Sequence, residues 1–137
     1  MKKNAFTLLE LLVVIGIIGI LVALATVSYS ATQSSGRDSR RKQDLVSIQN
    51  ALEQYYSENQ FSYPDNACTS SNTLLTKYLK SSWPVDPQTN TTYTASTCET
   101  TGYCVCATME KSGSGNSGAS CDWNNETKGY YCVANLQ

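Results

Sequence analysis

Few side chains in this sequence have types and spacings that could do chemistry. Cys68, Cys98, Cys104, Cys106, Cys121 and Cys132 all lie beyond residue 67. An even number of thiols in a small polar segment is a disulfide framework where the compartment oxidises, and a metal or redox site where it does not. Thiolate metal sites favour paired C-x-x-C spacing with His. This chain contains no His, and its close pair is Cys104-x-Cys106. Disulfides are therefore the expectation and no metal is expected, with a thiol redox role for Cys104 and Cys106 as the rival. Two apart on a strand, these two side chains share a face and should bond to different partners. Six cysteines allow fifteen connectivities, and the spacing does not choose among them. Without His the commonest general base is gone, so no Ser-His-Asp or Cys-His arrangement exists and neither an enzyme nor a cofactor is indicated.

Glu10 is the other informative side chain. It is the sole ionisable group between residues 6 and 27. From Phe6 to Val27 the run is long enough to cross a bilayer as a helix, which takes about 20 residues. A carboxylate inside such a span costs roughly 2.5 to 3.5 kcal/mol on insertion scales, so it calls for a partner or a task. Its bland alternative is a shallow position from which the side chain reaches the headgroups. Lys2 and Lys3 precede the run, which keeps residues 1–5 in the cytoplasm and exports the C-terminus. That orientation puts every cysteine on the oxidising side.

The segment Lys2-Lys3-Asn4-Ala5 followed by Phe6-Thr7-Leu8-Leu9-Glu10 resembles the processing signature of type IV prepilins and type II secretion pseudopilins. The resemblance implies cleavage between Ala5 and Phe6 by a prepilin peptidase, which also N-methylates Phe6. It places Glu10 at the family's glutamate, where it neutralises the buried amine of a neighbouring subunit. Most members have Gly at the position of Ala5; a small residue is retained. A competing site, Ala23-Leu24-Ala25, has the A-x-A form of signal peptidase substrates and would release a secreted Cys-rich binding domain starting at Thr26. Gly16 and Gly19 interrupt the apolar run, permitting close helix approach or local unwinding.

The elements that position these groups follow. Between Ala25 and Gln60 the residue that disfavours helix is Gly36. Leu45, Ile48, Leu52 and Tyr55, with Ala51 beside them, form one apolar stripe. The spacing predicts a continuous helix ending near Asn59, about 80 Å long at 1.5 Å per residue, closed by Phe61-Ser62-Tyr63-Pro64. Asp38/Lys42 and Arg40/Asp44 stand at i,i+4. The cluster Arg37, Arg40, Arg41, Lys42 is expected to be a solvated helix face or a juxtamembrane or inter-subunit contact. With a net charge of -1, nucleic acid is not an expected partner. A short helix is expected at Leu74–Leu79 and a rigid loop at Trp83–Pro87. Strands are expected at Thr91–Ser96, Gly102–Met109 and Gly129–Ala134, with a loop over Ser112–Ser120. The Trp83-Pro84-Val85-Asp86-Pro87 loop also resembles that of the major pseudopilins, which bind calcium nearby. Only Glu99, Asp122 and Glu126 are close, so no calcium is expected.

The expected fold is therefore α+β and pilin-like: a long N-terminal helix, its apolar half protruding and its amphipathic half packed on a small, disulfide-stapled antiparallel sheet. Residues 1–5 are the leader, 6–31 the transmembrane and filament-core segment, 32–60 the amphipathic helix and 61–137 the Cys-rich globular β domain. The expected role is a structural pilus subunit, with the type II secretion pseudopilin as the alternative. Its partners are then copies of itself through the N-terminal helix, the peptidase/methylase, and the inner-membrane assembly platform with its ATPase. It starts as a single-pass inner-membrane protein with its C-terminus outside and ends in an extracellular or periplasmic filament.

Overall fold

The computed structural model describes residues 7–65, 68–69, 73–79 and 82–137. They form two compact units, residues 1–34 and 35–137. One helix, α1 (Leu8–Glu58), runs through both, and is followed by α2 (Thr73–Thr76), β1 (Ala95–Glu99), β2 (Gly102–Thr108) and β3 (Tyr130–Ala134). The class is α+β, as expected.

In the second unit α1 buries the stripe that its periodicity announces. Leu45, Ile48, Ala51 and Leu52 are inaccessible, and Tyr55 is partly buried against them. They meet Tyr63, Leu75, Trp83, Tyr93 and the inward-facing Tyr103, Val105, Ala107 and Val133 of the sheet. Burying a Leu or Ile side chain contributes about 1.5 to 3 kcal/mol, so Leu45, Ile48 and Leu52 are the helix's main contribution to this small core. The sheet is an antiparallel meander of order β1-β2-β3. Val105 sits opposite Val133, and Cys106 opposite Cys132. Because side chains alternate along a strand, Tyr103, Val105 and Ala107 face the core while Cys104 and Cys106 face away from it.

The helix stops earlier than Pro64 alone would require. The Phe61 N–H donates to the Tyr56 carbonyl at 3.1 Å, and Gln60 and Phe61 take φ values of 57° and 58°. This is a Schellman closure with Gln60 at the left-handed position. The Phe61 ring completes it by packing edge-on against Tyr56, 5.6 Å between centroids. Glycine is the usual occupant there, since it has no Cβ to clash. Gln60→Gly should raise stability in chemical denaturation by about 0.5 to 1 kcal/mol; an unchanged or lower midpoint would contradict this account of the stop.

Two elements differ from expectation. β1 begins at Ala95 and extends to Glu99, rather than spanning Thr91–Ser96. Asp86 is the cause: its carboxylate accepts N–H bonds from Gln88 and Thr89, and its carbonyl accepts from Asn90. The resulting turn consumes residues 86–91, and Thr92 pairs only in an isolated bridge with Val85. The short helix is Thr73–Thr76 rather than Leu74–Leu79. Its last residues relax into a turn in which Tyr78 and Leu79 both donate to the Leu75 carbonyl. Within the expected loop, Ser117 bridges Tyr130 and Ala119–Cys121 forms a 3-10 turn.

The cysteines close three disulfides: Cys68–Cys98, Cys104–Cys121 and Cys106–Cys132. Cys104 and Cys106 do bond to different partners. Chain separations of 30, 17 and 26 residues each correspond to about 3 to 4 kcal/mol on a chain-entropy estimate. For a domain of this size, that supplements a modest core.

Candidate functional site

From Leu8 to Leu24 the first unit presents exposed apolar side chains. Leu8, Leu9, Leu11, Leu12, Ile15, Ile17, Ile18, Ile20, Leu21 and Leu24 are all at least half exposed. The helix they line is long and apolar enough to cross a membrane. Water-exposed apolar patches on monomers rarely exceed a few hundred Å², so this surface belongs against lipid or against other helices. At Gly16 and Gly19 an added Cβ would meet nothing within 4 Å. No contact among the described residues requires glycine at either position.

The start of α1 is built by Thr7 and Glu10. The Glu10 N–H donates to Thr7 Oγ1 at 3.2 Å. In return the Thr7 N–H and hydroxyl donate to Glu10 Oε2, at 2.8 Å and 2.9 Å. This is a reciprocal capping box, Thr7 at the N-cap and Glu10 three residues on, which satisfies backbone donors that a helix start leaves open. A carboxylate there also complements the positive end of the helix dipole. The signal was legible in Thr7-Leu8-Leu9-Glu10, but the same residues also spell the processing signature, which conceals it. Glu10 thus has an intramolecular partner within its own chain. Its expected partner, the amine of Phe6, and the cleavage position Ala5/Phe6 lie outside the described residues, as do Lys2 and Lys3.

The basic cluster on α1 is a solvated face only at Arg40, which is exposed. Arg41 is buried, its side chain 2% exposed. Its Nε donates to Asp86 Oδ2 at 2.6 Å and its Nη2 to Asp86 Oδ1 at 3.1 Å. Nη1 donates to Asp38 Oδ1 and Glu110 Oε1, both at 2.7 Å. Nη2 also donates to Gln88 Oε1 at 3.1 Å. A guanidinium has five N–H donors, and here each has an acceptor. Arg37 makes a second fork onto Glu110, at 2.7 and 2.6 Å. Asp38 therefore pairs with Arg41 at i,i+3 rather than with Lys42. Lys42 instead lies over the Tyr131 ring, 5.3 Å from its centroid. Arg37 and Arg41 are thus engaged within the domain, while Arg40 is exposed.

These bonds set the titration of the carboxylates. The Arg41 fork, helped by the Gln88 and Thr89 N–H groups, holds Asp86 well below the ordinary 3.8. Arg37 does the same for Glu110, with Arg41 adding to it. Burial alone would raise Asp38, but the N–H groups of Glu110 and Lys111 together with Arg41 outweigh it and lower the value. The network fastens the middle of α1 to the Trp83–Pro87 loop and to the chain leaving β2.

On the far face of the sheet lies the sulfur layer. Cys104 and Cys132 are buried, and Cys104 Sγ is 3.6 Å from Cys106 Sγ.

Residues 1–26 match the prokaryotic N-terminal methylation motif. A stretch of 58 residues is 36% identical to type II secretion system core protein G of Escherichia coli (strain K12). That match spans 42% of this chain and 40% of that protein, so the chain accounts for less than half of the curated relative's length. No solved structure matches. The motif, carried on an apolar helix that continues into a disulfide-stapled helix-and-sheet domain, and the similarity to this core protein together support a type IV pilin or pseudopilin family.

Proposed function

We propose that the chain is a structural subunit of a type IV pilus-like extracellular filament and not an enzyme. It enters the inner membrane once, C-terminus outside, is cut between Ala5 and Phe6, is N-methylated on Phe6, and polymerises through its N-terminal helix. The observation that carries this reading is the exposed apolar surface from Leu8 to Leu24 with a single carboxylate, Glu10, at its very start. A helix so apolar has two stable environments, lipid before assembly and a bundle of like helices after it. In the bundle, a positive terminal amine needs a buried counter-charge, and Glu10 is the one this segment offers. The peptidase/methylase, the assembly platform and its ATPase are partners in this scheme, and the membrane holds the monomer.

Mass spectrometry of the mature N-terminus, on membrane and sheared-surface fractions, tests the scheme. The expected product begins with N-methylated Phe6 in both fractions. A product beginning at Thr26 would overturn it in favour of a secreted domain.

The similarity to a type II secretion core protein supports a second reading, a pseudopilin whose filament stays short. The three disulfides and the thin acidic content around Glu99, Asp122 and Glu126 favour the pilus. Electron microscopy of intact cells separates them, since long surface fibres labelled by antibody to residues 61–137 are incompatible with a periplasmic pseudopilus.

A further inference from the structure

Four of the six sulfurs form one cluster. Cys104 and Cys106 point from β2 to the outer face of the sheet, Cys132 joins them from β3 directly opposite Cys106, and Cys121 reaches down from the 3-10 turn. All four Sγ atoms lie within 4.8 Å of one another, and those of Cys104 and Cys106, which are not bonded to each other, are 3.6 Å apart. A tetrahedral zinc thiolate site with bonds of about 2.3 Å has sulfur–sulfur edges of about 3.8 Å. The unbonded Cys104–Cys106 edge is already close to that spacing, and the two bonded edges, Cys104–Cys121 and Cys106–Cys132, would open to it on reduction. Cys104 and Cys132 are buried, while Cys106 and Cys121 are half-buried, giving a closed floor with an approach from the turn side. Cys68 and Cys98 stand outside this cluster.

We propose that the outer-face cluster is a redox-selected site: two disulfides when oxidised, a four-thiolate site for one zinc ion when reduced. Reduction of Cys104–Cys121 and Cys106–Cys132 takes two equivalents of a dithiol or phosphine, four electrons and four protons in all, and leaves four thiols. Zinc then displaces the four thiol protons and forms four Zn–S bonds, with no further electron transfer. The metal would tie β2, β3 and the Ala119–Cys121 turn together in place of the two disulfides. A chain that reaches its compartment unoxidised would keep the outer layer of its domain closed. This inference does not depend on the filament reading.

The test uses the full chain in detergent micelles, reduced anaerobically with a phosphine, with and without one equivalent of zinc. Thiols are then alkylated briefly and the adducts located by mass spectrometry. Without metal, all six cysteines should carry adducts. With zinc, the expected result is two adducts, on Cys68 and Cys98, and the four cluster positions protected. Cadmium in place of zinc should give a thiolate-to-metal charge-transfer band at one ion per chain, lost in a Cys104→Ser/Cys106→Ser variant. The Cys68→Ser/Cys98→Ser variant should keep both protection and band, which guards against misfolding of any one variant. Six adducts in the presence of zinc would overturn the proposal, whether the reduced domain stays folded or not. So would a cadmium band that survives in the Cys104→Ser/Cys106→Ser variant. The competing outcome has a structural basis: Cys132 Sγ lies 3.4 Å from the Gly118 carbonyl, so a thiol there could donate to it and stay metal-free.

Discussion

A Glu10→Gln subunit should start its helix normally and fail to enter filaments. Gln serves at the third position of a capping box as well as Glu does, so the bonds to Thr7 survive the change and the helix start is kept. What disappears is the negative charge. Under the proposed assembly, the amine of Phe6 in a neighbouring subunit is then left buried without a counter-charge. Removing one partner of a buried pair costs roughly 3 to 5 kcal/mol, which is roughly two to four orders of magnitude in affinity for each added subunit. The sheared-surface fraction should be empty and the membrane fraction should hold the monomer. Thr7→Ala makes the complementary change. It removes the cap, costing about 0.5 to 2 kcal/mol of helix start, but leaves the carboxylate, so filaments should persist in reduced amount. Comparing the two variants separates helix capping from charge pairing, both of which fall on Glu10. Wild-type filament yield from the Glu10→Gln chain would show that subunits register without this charge.

The same stretch of residues shows what was legible in the sequence and what was not. Leu45, Ile48 and Leu52 announced the buried face of α1 through steps of three and four, and all three are inaccessible. Counting backwards by the same steps gives Arg41 and Asp38, both buried on that face. Periodicity thus contained their burial, but charge type argued for solvent, because an isolated charge almost never enters a core. The deciding partners, Asp86 and Glu110, are 45 and 69 residues from Arg41, and local patterns do not reach so far. Strand alternation is similarly two-sided. It separated Tyr103 and Val105 from Cys104 and Cys106, yet which sulfur meets which depends on the path of the chain between β2 and β3. The early start assigned to β1 failed for a related reason. Thr91, Thr92 and Tyr93 have strand-forming side chains, but Asp86 spends its carboxylate and its carbonyl on folding the preceding residues into a turn.

Replacing Arg41 should be the most destabilising single change in the globular unit. Arg41→Met keeps an apolar stem of similar reach and removes five hydrogen bonds. It leaves Asp38, Asp86 and Glu110 converging on an empty position, with Arg37 still paired to Glu110 alone. Uncompensated buried charge of this kind costs roughly 3 to 5 kcal/mol, a large share of the stability of a domain this small. Arg41→Lys should recover only part of it, because a point ammonium cannot reproduce the two-pronged bond to Asp86. Asp38→Asn and Asp86→Asn added to Arg41→Met should recover stability relative to Arg41→Met, since the repulsion goes with the charges. The pH dependence follows from the lowered carboxylates. A group whose folded pKa lies below its unfolded value stabilises above the unfolded value, and that contribution is lost as pH falls through the folded one. Asp86, Glu110 and Asp38 are all shifted down, so the wild-type domain should lose stability progressively as pH drops below about 4. In Arg41→Met the carboxylates repel one another and protonate more readily, so acid relieves the variant while it weakens the wild type. Denaturation midpoints of the two chains should therefore converge between neutral pH and about pH 3. A gap that stays constant over that range would mean that Arg41 acts through packing of its stem and not through the charges gathered around it.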